Sequence, residues 1–600
     1  MARSNDWTVL SIHPVTGPLN TRSRPADVPP GGFRWKEAFQ TRSGGPSGSL
    51  CRRAGFQRFF SDYRYDDDGV SLSDPSHGAG NHYHNHDWHF RNGDREPITF
   101  ALESTANDGT RRFFAGTQSA VAVLDQDAGT YTEIISGAGA PGCVWKGAQL
   151  QDELILCNDH DGIRHHTLGS SNTGVISDLD SLHVSQSKIA VMFNGFIMLM
   201  NVVVNGDRQS SRIYWSDLNL PTTFNPGTEG SLSGFQDLDY GDDILGALPL
   251  LGNLYIYTRR SIWKCTTGGA TESDIFTFAR VYNEPKNQAG CLTYPNTLVS
   301  DGQNHWYMSR DGIYNFNPYI AAPERAEWLH DADGVIYTKG DTKLDSTYCQ
   351  SPVAEYVTAD RELWISWPSA DRSGINNLTF IANLQYKTAD VMRVGFTTLV
   401  NFRRAPTSQE ECNETQDLVG ACGADWCLKS IGGVYFYEYA IIASNGDRSV
   451  DLSELDAGYI QLGYNSLIAG LIPTGLHDRE KLVRLVNIQD DVREQDTPCK
   501  LRVRIGNSYQ NVDLNEAGQK CAPLWRTIGT KLLTCPSTMT LAQMQANNIR
   551  PSVGKDFKCY EQGRYLFFEI SVIGSDGGLA IGGDACFQQF DFDCLAISKP

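Results

Sequence analysis

The sequence predicts an all-β chain: a β-propeller-like core, an added β-sandwich or sheet domain, and an extended N-terminal arm. Short alternating apolar segments recur between turns of Gly, Asn and Asp from about residue 98 onward. The chain of 600 residues holds 57 Gly, 25 Tyr and 26 Phe, while continuous apolar patterns of helical period are scarce. Gly supplies positive φ in tight turns, and aromatics fill half-buried sheet faces, so many short strands fit this text. One core cannot serve such a length; ~3–5 domains, or one repetitive body with additions, are expected.

Residues 1–60 read as an extended arm, because PADVPPGG (25–32) and RSGGPSGS (42–49) are breaker runs with only FRWKEAF between them. Such an arm gains little by folding alone and is expected to run over the main body or a neighbouring subunit. Residues 61–97, with Asp66–Asp68 and NHYHNHDWHF, read as a polar His-rich insertion.

Residues 98–390 form the expected propeller-like core, with strands at RRFFAG (111–116), AVAVLD (120–125), ELILCND (153–159), KIAVMF (188–193) and RELWISWPS (361–369). Two stretches carry a turn–strand–turn–strand unit. In one, Leu254, Ile256 and Thr258 alternate before Arg259–Arg260 turn the chain into Ser261–Lys264. In the other, Trp306–Met308 precede the Arg310–Asp311–Gly312 turn and Ile313–Phe316. Recurrence at blade-sized intervals suits a radial array of four-stranded sheets, and a series of sandwiches would produce much the same text. The most apolar run, Ile189 to Val204, is interrupted by Asn194, Gly195 and Asn201 and is shorter than the ~18–20 residues of a membrane span. It reads as a hairpin turning at Asn194–Gly195, with Asn205–Gly206 closing its second strand. Stable membrane insertion is therefore not expected, and the first residues lack the continuous apolar segment of a secretory leader.

Residues 391–474 read as a cysteine-containing loop and β segment that could complete the propeller. Residues 475–600 read as a β-sandwich or sheet domain: in LRVRIG, Leu501, Val503 and Ile505 face one way and Arg502 and Arg504 the other. TMTLAQMQANNIR (538–550) is the clearest helix candidate.

The formal charge of −19 argues against a protein that coats nucleic acid through phosphate neutralisation. In the cluster His82, His84, His86 and His89, the first three would share a face of a strand and could surround a metal, but the flanks are loop-like and a solvated loop explains them. Cys412, Cys422 and Cys427 lack paired C-x2-C knuckles, so a local disulfide or free thiols are preferred to zinc. The fifteen cysteines are odd in number, which rules out complete intramolecular pairing. Asp66–Asp68 and DLDYGDD (237–243) match no EF-hand loop and read as solvated acidic turns. Nucleophile-elbow, phosphate-loop and zincin motifs are absent. No enzyme, cofactor or metal is expected. A carbohydrate-active propeller enzyme is the catalytic alternative, since facing carboxylates leave no spacing signature and Trp88, Trp215 or Trp364 could stack on sugars. Blade-core anchoring is the plainer role for those tryptophans.

RIYWSDLNLPTTFNPG (212–227), GDDILGALPLLGNLYIYTRRSIWKCTTGG (241–269) and LVSDGQNHWYMSRDGIYNF (298–316) together resemble the tail-nozzle and packaged-DNA stabilisation proteins of short-tailed bacteriophages. PPGGFRWKEAFQTRSGG and SLCRRAGFQRF are similar to that family's arm, although Ala54 stands where an Arg-Pro-Gly motif has proline. The resemblance implies a structural virion protein, made in the host cytoplasm and assembled as a hexameric ring below the portal and adaptor. That ring would retain packaged DNA, pass double-stranded DNA during ejection and contact tail fibres. A receptor-binding or fibre-attachment tail protein is a further alternative. On this reading Asp237, Asp239, Asp242 and Asp243 are the candidate acidic residues facing the DNA path or a partner, because an acidic wall would leave the duplex free to slide.

Overall fold

The computed structural model describes residues 98–403 with short interruptions, and outside that range individual segments between residues 8 and 61 and between 416 and 596. It is almost wholly β, with several four-stranded antiparallel sheets built from consecutive strands. Helix is confined, among the described residues, to short pieces such as Ser177–Ser181, Glu327–Ala332 and Gly334–Tyr337.

Sheets 1 to 6 are named here in chain order. Sheet 1 runs Phe100–Thr105, Arg111–Gly116, Val121–Asp125, Thr130–Ile135. Sheet 2 runs Lys146–Leu150, Glu153–Cys157, Arg164–Thr167, Thr173–Val175. Sheet 3 runs Val184–Phe193, Phe196–Val204, Asp207–Trp215, Gly234–Asp237. Sheet 4 runs Ile244–Leu250, Asn253–Thr258, Ser261–Thr267, Phe276–Asn283. Sheet 5 runs Val299–Ser300, His305–Met308, Ile313–Asn317, Ala322–Glu324. Sheet 6 runs Val353–Val357, Glu362–Trp367, Leu378–Asn383, Thr388–Met392.

The expected hairpins form where the sequence places them. Asn194–Gly195 joins Phe193 to Phe196, and Asn205–Gly206 joins Val204 to Asp207. Both residues of each turn have positive φ, the geometry whose twist matches antiparallel strands and which Asn-Gly adopts at low cost. Every residue of Phe196–Val204 is buried. Ile197 and Leu199 pack with Ile155 and Cys157 of sheet 2, whereas Met198 and Met200 pack with Leu254 and Ile256 of sheet 4. A strand covered on both faces needs no polar alternation, which accounts for the long apolar run. The ladder shifts register at Asn201, whose side-chain amide donates to the Ile244 carbonyl at 3.0 Å, pinning sheet 3 to sheet 4.

The same face-to-face packing repeats. Phe114 and Val123 of sheet 1 meet Leu154 and Leu156 of sheet 2. Tyr255 and Tyr257 of sheet 4 meet Tyr307 and Phe316 of sheet 5. Between sheets 5 and 6, Trp306 and Met308 meet Leu363, Ile365 and Trp367, with Leu329 and Val335 of the short helices and Leu19 added. The first strands of consecutive sheets lie side by side from sheet 1 to sheet 6.

A seventh sheet joins Thr398–Arg403, Gln416–Cys422 and Gly433–Tyr437 to Phe56–Ser61 from near the N-terminus, with Tyr459–Ile460 beyond. Its first strand neighbours those of both sheet 6 and sheet 1. The last strand of sheet 6 pairs in parallel with Phe33–Glu37, and the ladder continues through Asn465–Ala469, Phe567–Gly574, Cys499–Gly506 and Arg526–Leu532. A separate sheet orders Phe39–Arg42, Ser49–Arg52, Ala585–Ala596, Lys481–Val492 and Lys555–Gly563, with Thr8–Ile12 also on Ala585–Ala596. The segments read as an N-terminal arm contribute strands to three sheets. Val503 and Ile505 are buried while Arg502 and Arg504 are only half-buried, as the LRVRIG alternation requires. The helix expected at 538–550 lies outside the described residues.

Candidate functional site

The most distinctive polar constellation sits among the first strands, where neighbouring sheets converge. Lys146 opens sheet 2, Glu355 lies within the first strand of sheet 6, and Asn401 lies in the first strand of the seventh sheet. Asn296 belongs to the turn Pro295–Thr297, which packs against the first strands of sheets 4 and 6. Lys146 Nζ donates to Asn296 Oδ1 at 2.6 Å, and Asn296 Nδ2 donates to the Gln350 carbonyl at 2.6 Å. Asn401 Nδ2 donates to Glu355 Oε1 at 2.5 Å and to the Tyr356 carbonyl at 2.8 Å. A lysine of sheet 2 therefore reaches a segment attached to sheet 5.

Burial governs the ionisation of both groups. It pushes the Lys146 ammonium down to about 8, helped by the nearby Lys188 charge. It pushes the Glu355 carboxyl up to about 8, against hydrogen bonds from the Tyr356 backbone and Asn401. At neutral pH Lys146 is mostly charged and Glu355 mostly a neutral acid. A protonated carboxyl can act as a general acid, but two-carboxylate glycoside hydrolysis needs a second carboxylate ~5–9.5 Å away. Burial and hydrogen bonds, and no second carboxylate, set the ionisation of Glu355. A second buried pair, Tyr257 Oη and His305 Nδ1 at 2.9 Å, links sheets 4 and 5, and burial pushes His305 down to about 4. Both residues are fully enclosed, so this pair serves packing.

The acidic run anticipated from sequence is the connection from the outer strand of sheet 3 to the first strand of sheet 4. Asp237 pairs with Arg212, Nε to Oδ1 at 2.6 Å and Nη2 to Oδ2 at 2.7 Å. Asp243 pairs with Arg259 at 2.9 Å. Arg212 holds Asp237 below the usual carboxylate range, and Ser210 followed by Arg259 does so for Asp243. Asp239 is exposed and Asp242 half-buried. Two of the four carboxylates are thus neutralised within the chain.

Trp215 and Trp364 are buried, which removes them as sugar platforms; Trp364 Nε1 donates to Glu362 Oε2 at 3.0 Å. Trp88, Asp66–Asp68, the His82–His89 cluster, Cys412 and Cys427 lie outside the described residues, as does the side chain of Cys422, which closes a strand. Among the described residues no three His, Cys, Asp or Glu side chains form a metal-binding group. The sequence reading missed Lys146, Asn296, Glu355 and Asn401. Their one local signal is a charge interrupting an apolar strand, as in VAEYV (353–357).

The ends of the sheets differ in character. First–second and third–fourth turns lie at one end of each sheet: Asn219 N donates to the Gly195 carbonyl in sheet 3, and Leu384 N to the Arg361 carbonyl in sheet 6. This end exposes Leu218, Leu220, Leu251, Tyr319, Ile320 and Tyr386. The opposite end carries ion pairs such as Asp159–Arg208, Asp243–Arg259 and Glu284–Arg310.

Fold and site together define an all-β chain of repeated four-stranded sheets with its central polar groups paired internally. No family model matches the chain, and no curated protein matches it. Among solved structures it is similar to one described as YCF48 bound to D1 peptide, at 11% identity and a TM-score of 0.34, over 57% of this chain and 93% of that chain. So low a score carries no argument about kinship. The phage expectation is corrected: no family model and no curated protein matches the chain in its support. The tail-nozzle role, DNA ejection and virion location fall with it. The misleading motif has a physical origin. In RIYWSD, Ile213 and Trp215 are core residues, Ser216 Oγ accepts from Ile197 N at 3.0 Å, and Asp217 Oδ1 accepts from Leu218 N and Leu232 N. These residues answer the needs of a hairpin and its loop, and any fold of such sheets could select them.

Proposed function

We propose that the chain is a non-catalytic interaction scaffold, a closed seven-bladed propeller extended by a β-sandwich. The observation that carries the scaffold reading is the internal pairing of the central polar groups: Lys146 with Asn296, and Glu355 with Asn401. Hydrogen bonds made within the fold rigidify it and hold these four side chains in place. Closure is supported by the first strand of the seventh sheet, which neighbours sheets 6 and 1, and by the Thr397 hydroxyl, which donates to the Ile98 carbonyl. The seventh sheet also takes a strand from near the N-terminus, Phe56–Ser61, joining distant parts of the chain as ring closure requires. Function then resides in the turns carried by a stiff body.

The test is turnover of a panel of aryl glycosides and polysaccharides by the full chain and by Glu355→Gln. No turnover by either protein is expected. Hydrolysis by the wild type that is lost in Glu355→Gln would replace the scaffold reading with the enzymatic one. Projections down the sheet axis in electron micrographs should show seven lobes, and an open arc would refute closure.

A further inference from the structure

The register of the terminal sheet places two cysteines together. Cys51, on Ser49–Arg52, lies directly opposite Cys586, near the start of Ala585–Ala596, in an antiparallel pair. Directly opposite residues in such a ladder have Cα atoms ~4.5 or ~5.5 Å apart, depending on which kind of site they occupy. Both separations fall inside the ~4.4–6.8 Å span of disulfides, and opposite residues share a face of the sheet. Among the described residues this is the only register position that pairs two cysteines. Cys157 and Cys265 are buried, and burial pushes each thiol up to about 12. A thiol held in that state is a poor nucleophile.

We propose that Cys51 and Cys586 are a redox-sensitive site that closes to a cross-strand disulfide, tying an N-terminal strand to the last strand of the fold. Two S–H bonds break and one S–S bond forms. The two electrons and two protons pass to a disulfide oxidant such as oxidised glutathione, which is cleaved to two thiols. Because the bridged residues lie at opposite ends of the sequence, the bond would close a very long loop in the unfolded chain, the arrangement in which a crosslink restricts the unfolded state most.

The experiment exposes the purified full chain to oxidised glutathione, blocks remaining thiols with iodoacetamide and maps tryptic peptides without reduction. A peptide pair joining Cys51 to Cys586, two hydrogens lighter than the separate thiols, is expected. Fragmentation distinguishes Cys586 from Cys594, which shares its tryptic peptide. The linked species should vanish with dithiothreitol and in Cys51→Ser and Cys586→Ser. Oxidation should raise the melting temperature of the wild type by several degrees and leave both variants unmoved. Complete alkylation of both residues in oxidised, folded protein would overturn the proposal, as would Cys51 bonded to any other cysteine. If a serine variant fails to fold, the wild-type map decides the matter alone.

Discussion

Sheets 1 to 6 and the terminal sheets solve the same problem by opposite means. In sheets 1 to 6 every strand pairs with its neighbour in sequence, through tight turns such as Asn194–Gly195 or longer loops such as residues 216–233. In the terminal sheets the ladder alternates between the two ends of the chain: Phe33–Glu37 bridges sheet 6 to Asn465–Ala469, and Ala585–Ala596 takes Thr8–Ile12 and Ser49–Arg52 on one side and Lys481–Val492 on the other. Local pairing costs little loop entropy and leaves a clear hairpin text; distant pairing costs more and leaves almost none. Burial differs in the same way. Phe196–Val204 of sheet 3 and Glu362–Trp367 and Leu378–Asn383 of sheet 6 are buried along their whole length, while Cys499–Gly506 keeps half-buried arginines at 502 and 504.

The strongest way to break this contrast is to delete residues 1–61. That removes strands from the seventh sheet and both terminal sheets while leaving sheets 1 to 6 their own strands. The expected outcome is loss of soluble protein, or a fall in melting temperature of more than ~10 °C, since the last strand of sheet 6 and the strand Ala585–Ala596 each lose a partner. An unchanged melt would show that the termini add nothing to the body.

Trp367→Ala probes the locally paired region alone. Trp367 is fully buried between sheets 5 and 6, and its Nε1 donates to the Thr342 carbonyl at 2.8 Å. Deleting a buried indole costs about 3–5 kcal/mol, measurable by denaturant unfolding. A loss confined to one of two transitions would separate the body from the terminal sheets as folding units.

The smallest effect concerns the first strands. The Glu355 carboxyl titrates at about 8 in the folded chain against an ordinary 4.5, so the folded state holds the proton more tightly. Its contribution is complete below 4.5 and is lost as pH rises to about 8. His305, pushed down from 6.5 to about 4, works in the opposite sense, with stability rising between those values. Between pH 6.5 and 8 Glu355 therefore acts without that opposition. Melting temperature should fall across this window in the wild type and fall less in Glu355→Gln. Parallel curves for the two proteins would remove Glu355 as the cause.

Elements made by neighbours in sequence were the legible ones. Arg111–Gly116 matches its expected strand residue for residue, and the Asn194–Gly195 and Asn205–Gly206 turns stand where the dipeptides put them. Period-two alternation and turn chemistry are local properties, so the sequence alone determined the β class, the Asn-Gly hairpins and the two-faced alternation of LRVRIG. Tertiary structure alone decided that Phe33–Glu37 joins sheet 6, that Cys51 stands opposite Cys586 in the ladder and that Lys146 reaches Asn296. Each of these brings together groups far apart in the chain, selected by the packing of whole sheets, and no short window of residues encodes such a partner.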